Sequence, residues 1–199
     1  MAELGIGLGT MYNEVDRSEE IRKTYDDAFE EDLMERKSKA YAVVRNYTLL
    51  AGGVGATPIP FVDSVGLILV QTTMIARINT MYGISLSRNL ISTLIGAVVT
   101  APNALSVIGV TSLVLSYGID DVLKLIPGLN IVGSIVGAGV AASFTSFLGF
   151  IVVKSLENLI RKFPHYRSLS PEEIQEILVS EAQRESKTTT KAQVDKKLK

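Results

Sequence analysis

Hydrophobic and polar positions over residues 16–50 recur at helical spacing. Tyr25, Phe29, Leu33 and Ala40 fall along one face, with acids and bases around them. Asp16 or Ser18 stands where a helix cap is expected, and no Gly or Pro interrupts the run before Gly52, so the pattern predicts one helix. Its last part, AYAVVRNYTLLA, is apolar all round. A second helix is predicted over 61–82: Asp63 near its start suits the helix dipole, and Gly83 stands where a terminating glycine belongs. Residues 89–118 carry no formal charge and are interrupted at Pro102-Asn103, which predicts one kinked helix or two short ones. The segment IDDVLKLIP, 119–127, is a short polar connection, and 128–153 is again uncharged. After Lys154 the pattern turns amphipathic until Pro164. Ser170-Pro171-Glu172-Glu173 then carries the signature of a capping box, with Ser170 at the N-cap and Pro171 in the first helical position. Nothing reads as a strand ladder and no segment repeats at a fixed period. The expected fold is all-α, a helical bundle with a central hydrophobic hairpin inserted in a membrane.

The same patterning sets the expected organisation. Residues 1–15, with Gly5, Gly7 and Gly9, make a flexible start. Residues 16–167 form a helical domain whose apolar core lies within 40–153. Residues 168–199 add a C-terminal helix and, from 186, a disordered tail poor in core-forming residues.

Charge sharpens this picture. Residues 14–39 hold ten acidic and six basic side chains, and 154–199 hold seven acidic and ten basic. Between them, 40–153 holds only Arg45, Asp63, Arg77, Arg88, Asp120, Asp121 and Lys124. A middle so poor in charge must be covered by protein, by lipid or by both. The net charge of −1 over 199 residues argues against nucleic acid as a partner. There are no cysteines, and His165, beside Pro164 at a helix end, is the one histidine; thiolate chemistry and multi-histidine zinc sites are excluded. The first thirty residues lack a basic segment followed by an apolar one, so no signal peptide is expected. No nucleophile–base pair or metal set stands out. The chain is therefore expected not to be an enzyme and to need no catalytic residue, cofactor or metal.

The stretch LLAGGVGATPIPFVD, 49–63, superficially suggests a phosphate-binding loop. Such a loop needs a lysine to reach the outer phosphates, and the corresponding position is Ala56. Pro58 and Pro60 also lack the N–H groups that would cradle them. The expectation is a structural helix break made by Gly52, Gly53, Gly55, Pro58 and Pro60.

Two separated motifs carry a resemblance. TPIPFVDSVGLILVQTTMIARINTMYGIS, 57–85, has a Pro-x-Pro break, a helix carrying glutamine, and Tyr-Gly. LKLIPGLNIVGSIVGAGVAASFTSFLG, 123–149, has Ile-Pro-Gly, a Gly/Ala-rich helix, and Thr followed by Leu-Gly. Over roughly 40–160 the chain resembles a bacterial domain-of-unknown-function family seen in YcjF-like membrane proteins and as the C-terminal partner of Era-like small GTPase domains. The resemblance implies a helical, membrane-associated domain and supplies no catalytic residues. The N-terminal segment is too short for a GTPase domain, so a GTPase partner would be a separate chain.

Both uncharged spans reach the roughly 20 apolar residues a membrane helix needs. Gly133, Gly137 and Ala141 stand at i, i+4 and i+8, and Gly139 with Ser143 forms a neighbouring pair; such a face lets helix backbones approach closely. Arg77 and Arg88 before the hairpin, and Lys154, Arg161 and Lys162 after it, place both termini in the cytoplasm by the positive-inside rule. Asp63, Gln71 and Arg77 offer a helix N-terminus or polar seam. Asp63 suits helix stabilisation, Gln71 an interhelical hydrogen bond, and Arg77 a reach to headgroups. A second reading stays open, a soluble bundle that hides the hairpin. Two functions follow. One is a non-enzymatic membrane adaptor or scaffold, with the lipid bilayer, a cytosolic GTPase or other protein, and further copies of itself as partners. The other is a pore-forming or membrane-perturbing protein, soluble until its hairpin inserts.

Overall fold

The computed structural model describes residues 3–55, 62–99, 130–189 and 191–198. Among these residues the regular structure is helical, without strands: α1 (Glu3–Gly55), α2 (Val62–Met81), α3 (Arg88–Val99), α4 (Asn130–Lys162), α5 (Pro171–Thr188) and α6 (Lys191–Leu198), with a 3-10 turn at Tyr166–Ser168. The all-α expectation is met. The chain divides into two compact units, Met1–Lys37 and Ser38–Lys199. That boundary falls inside α1.

In the first unit the expected loose start is helical from Glu3. Each glycine costs about 1 kcal/mol relative to alanine in a helix, but extending an existing helix is far easier than nucleating one. Local bonds support the charged part that follows. Thr24 Oγ1 donates to the Glu20 carbonyl at 2.9 Å, and Arg36 Nε meets Asp32 Oδ2 at 2.8 Å one turn away. Ile21 and Tyr25 are exposed.

The second unit is built around α4. Its Phe147, Leu148, Ile151, Leu156 and Leu159 are fully buried. α2, α3, α5 and α6 all pack on it, and α5 also packs on α3. The Ser38–Gly55 part of α1 runs antiparallel to α4: Tyr41 faces Phe150 with ring centroids 5.9 Å apart, and Thr48 Oγ1 lies 3.0 Å from Ser146 Oγ. α2 ends as expected at a turn in which Gly83 adopts φ +72°, a left-handed conformation that an L side chain resists. The Gly83 N–H donates to the Thr80 carbonyl and the Ile84 N–H to the Asn79 carbonyl, each at 3.0 Å. Ser87 caps α3, accepting from the Leu90 N–H at 3.2 Å. Ser170 and Glu173 form the expected capping box at the start of α5.

Three expectations meet differences. α1 continues through Gly52 and Gly53 to Gly55, so these glycines lie inside the helix; Pro58 and Pro60 lie outside the described residues. The tail expected to be disordered from 186 is largely helical: the expected C-terminal helix α5 runs on to Thr188, and α6 follows at Lys191–Leu198, where Val194 is buried and α6 packs on α4. Of the hairpin, residues 100–129 lie outside the described residues. Within α4, Gly139–Lys162 is long and apolar enough to cross a membrane, but 61% of its most apolar window is buried inside the protein. That stretch serves the bundle as its central helix.

Candidate functional site

The expected polar residues of α2 do not share one face. Gln71 points inward, is 3% exposed, and its Nε2 donates to Thr145 Oγ1 on α4 at 3.4 Å. This is the interhelical hydrogen bond expected of it. Arg77 is exposed and holds its guanidinium over the Tyr47 ring of α1, 5.9 Å from the centroid. Six residues rotate a helix by about 240°, which separates the two side chains. Asp63 falls in the first turn of α2, the position at which a carboxylate suits the dipole. Asn79, also buried, donates Nδ2 to the Ile75 carbonyl at 2.7 Å within its own helix.

The small residues of α4 divide in a similar way. Gly133 and Gly137 fall in its first turns. Gly139 is exposed, and a Cβ placed there meets nothing within 4 Å. Ala141 is buried and Ser143 half-buried. The tight approach lies further on, at Gly149, where an added Cβ would come within 2.6 Å of both Val44 methyl groups. Small residues at i and i+4 permit close packing. What fixes its place is a β-branched partner, Val44, seated over a missing side chain. Gly149 continues the four-residue series of Gly133, Gly137 and Ala141, but its partner Val44 lies far away in sequence and is not marked by that spacing.

At the other end of α4 a charged clasp holds α5. Glu181 and Glu185, both 7% exposed, face three cations and an amide. Lys154 Nζ meets Glu185 Oε2 at 2.7 Å, and Lys162 pairs with Glu181. Arg184 Nη2 reaches Glu181 Oε2 at 2.7 Å and Glu185 Oε1 at 3.0 Å. Asn158 Nδ2 bridges the carboxylates, at 3.1 and 3.0 Å. Burial pushes the Glu181 carboxyl up, but hydrogen bonds and charge from Lys162 and Arg184 outweigh it and hold the group below its ordinary range. The capping bonds from Ser170 likewise hold Glu173 low. Every acid of the clasp is matched by cations, so its chemistry is that of a fastening.

A shallow open groove of about 500 Å³ between α3 and α5 is lined by Thr93, Glu172, Gln175, Glu176, Val179, Ser180 and Gln183. Among the described residues no group of three or more His, Cys, Asp or Glu is placed to hold a metal ion. His165 is exposed beside the 3-10 turn.

The opposite end of the second unit is apolar outside as well as inside. Leu49 and Leu50 near the end of α1 are 73% and 55% exposed, and Ile68 and Leu69 in α2 are 59% and 66% exposed. Val54 of α1 lies against Gly66 of α2, so these two helix segments meet. This is the most distinctive surface among the described residues of the unit.

The family model described as domain of unknown function (DUF697) matches residues 21–185. The chain is 29% identical over 132 residues to "Magnetosome membrane protein 22" of Magnetospirillum gryphiswaldense, a match that covers 64% of this chain and 62% of that relative. The chain thus spans less than two thirds of the relative's length. No solved structure matches the chain.

Proposed function

The chain belongs to the DUF697 domain-of-unknown-function family, and on that premise we propose that it is a membrane-associated, non-enzymatic helical protein. The observation that carries this reading is the exposed apolar end, Leu49, Leu50, Ile68 and Leu69, on helix segments almost free of charge. An apolar patch of this kind marks a site of membrane or protein interaction. The membrane name of the magnetosome relative and the apolar length of Gly139–Lys162 support the same direction.

The finer reading is an adaptor or scaffold. The apolar end anchors it at the cytoplasmic membrane with both termini in the cytoplasm, and its charged helices engage a cytosolic protein. A separate GTPase chain is the partner implied by the sequence resemblance. A second reading, a protein that perturbs membranes by inserting a hidden hairpin, is supported by the burial of α4 inside the bundle.

Carbonate extraction of membranes from cells expressing the full chain separates these readings. The adaptor reading expects the protein in the pellet and no dye release from liposomes. Recovery of a monodisperse protein in the soluble fraction without detergent would defeat it. Dye release by that soluble form would establish the second reading.

A further inference from the structure

Moving away from the apolar end, the first charge met on each helix of the core is basic once the helix tip is passed. On α1 it is Arg45; on α2, beyond Asp63 in the first turn, it is Arg77; on α3, read from its C-terminus, it is Arg88; on α4 it is Lys154. Lys154 is paired with Glu185 of α5, and Glu157 is the next charge along α4. Arg45, Arg77 and Arg88 are exposed, and Lys154 is half-buried. The contact of Arg77 with Tyr47 sets Arg45 and Arg77 at nearly one level, because Arg45 is only about 3 Å along the axis from Tyr47. By the same rise Leu49 lies about 6 Å beyond Arg45, and Leu69 about 12 Å beyond Arg77, towards the apolar end. The headgroup layer on one side of a bilayer is roughly 5–8 Å thick.

From this succession we infer that Arg45 and Arg77 form a phosphate-level belt that binds anionic lipid headgroups, while Leu49, Leu50, Ile68 and Leu69 sit in the hydrocarbon beyond it. This rests on the membrane reading above and adds its depth, its orientation and its lipid chemistry. The occupant is a lipid surface, because the patch pairs exposed aliphatic side chains with a cationic rim. Arginine suits that rim through its persistent charge and its planar fork of donors. Each cation near an anionic surface gains roughly five-fold in partitioning, so the pair is worth about thirty-fold.

The absence of cysteine from the chain makes the depth directly measurable. Leu49→Cys, Ile68→Cys and Gln183→Cys, each the sole thiol of a full-length chain, are treated with a membrane-impermeant maleimide in membrane sheets open on both faces. The first two are expected to resist labelling until detergent is added, and the third to react at once. Equal reaction at all three, in protein that still pellets with membranes, would overturn the inference and leave the membrane reading intact. Failure to pellet would overturn both. For the belt, phosphatidylglycerol or phosphatidylcholine is titrated into the full chain in neutral detergent while its thermal midpoint is followed. Phosphatidylglycerol is expected to raise the midpoint more than phosphatidylcholine. In R45Q/R77Q its apparent affinity falls about thirty-fold, and R45K/R77K retains most of it. Equal response to the two lipids, or no change in R45Q/R77Q, would refute the belt.

Discussion

At the scale of single residues, the glycines of α4 have opposite roles. Gly149 is a packing requirement, since a methyl group there would overlap the Val44 side chain, and Val44 cannot rotate away cheaply because it is β-branched. Gly139 opens onto space and contributes only the helix cost of a missing side chain. Gly149→Ala should therefore destabilise by about 1–3 kcal/mol, and Gly139→Ala should stabilise by up to about 1 kcal/mol. Unfolding midpoints of the two variants check the opposite signs, and Val44→Ala should relieve part of the Gly149→Ala defect. The sequence marked Gly139 through its spacing with Ser143 and Gly149 through the Leu-Gly of the second motif, but did not show that only Gly149 meets a close neighbour. Spacing along one helix reports which faces permit contact, and the partner that exploits a face is chosen elsewhere in the chain. Gln71 was legible for the converse reason: a lone amide in an apolar helix must find a partner, and Thr145 supplies it.

At the scale of elements, α5 is fastened to α4 by the clasp around Glu181 and Glu185 as well as by apolar contact. Because the Glu181 carboxyl is held below its ordinary value of 4.5, its contribution is present above that pH and is lost as pH falls through the lower folded value. The thermal midpoint of the protein should drop below about pH 4.5. Glu181→Gln should be less stable at neutral pH, by about 1–2 kcal/mol, and should show a shallower fall in acid. A wild-type midpoint that stays level down to pH 3 would remove the clasp from the account. The start of α5 was readable in advance, because Ser170, Pro171 and Glu173 act within one turn. α6 was not readable. Eight residues with one buried valine cannot hold a helix alone, and its order comes from packing on α4.

For the molecule as a whole, the unit Ser38–Lys199 is polar along its axis as well as from surface to centre. Its two kinds of apolar residue should respond differently to substitution. Replacing Leu49, Leu50, Ile68 and Leu69 by serine should change stability in detergent little, about 0.5 kcal/mol or less for each, while weakening retention by membranes. Phe147→Ala, in the centre, should cost about 3–5 kcal/mol. Comparing unfolding with membrane fractionation for the two variants tests whether the exposed end serves lipid or folding. Helix content and the placing of charge at the two ends of the pattern were legible, because composition and period report burial. Whether a long apolar helix is covered by lipid or by its own neighbours was not, since both environments select the same side chains.

The central place of α4 also has a consequence in time. Synthesis runs from the N-terminus, so α1, α2 and α3 leave the ribosome before the helix that covers much of their inward faces. About sixty residues separate Val99 from the end of α4, and at roughly 5–20 residues per second their translation lasts about 3–12 s. For that interval Val44 and the inward face of α2 lack the α4 surface that finally covers them.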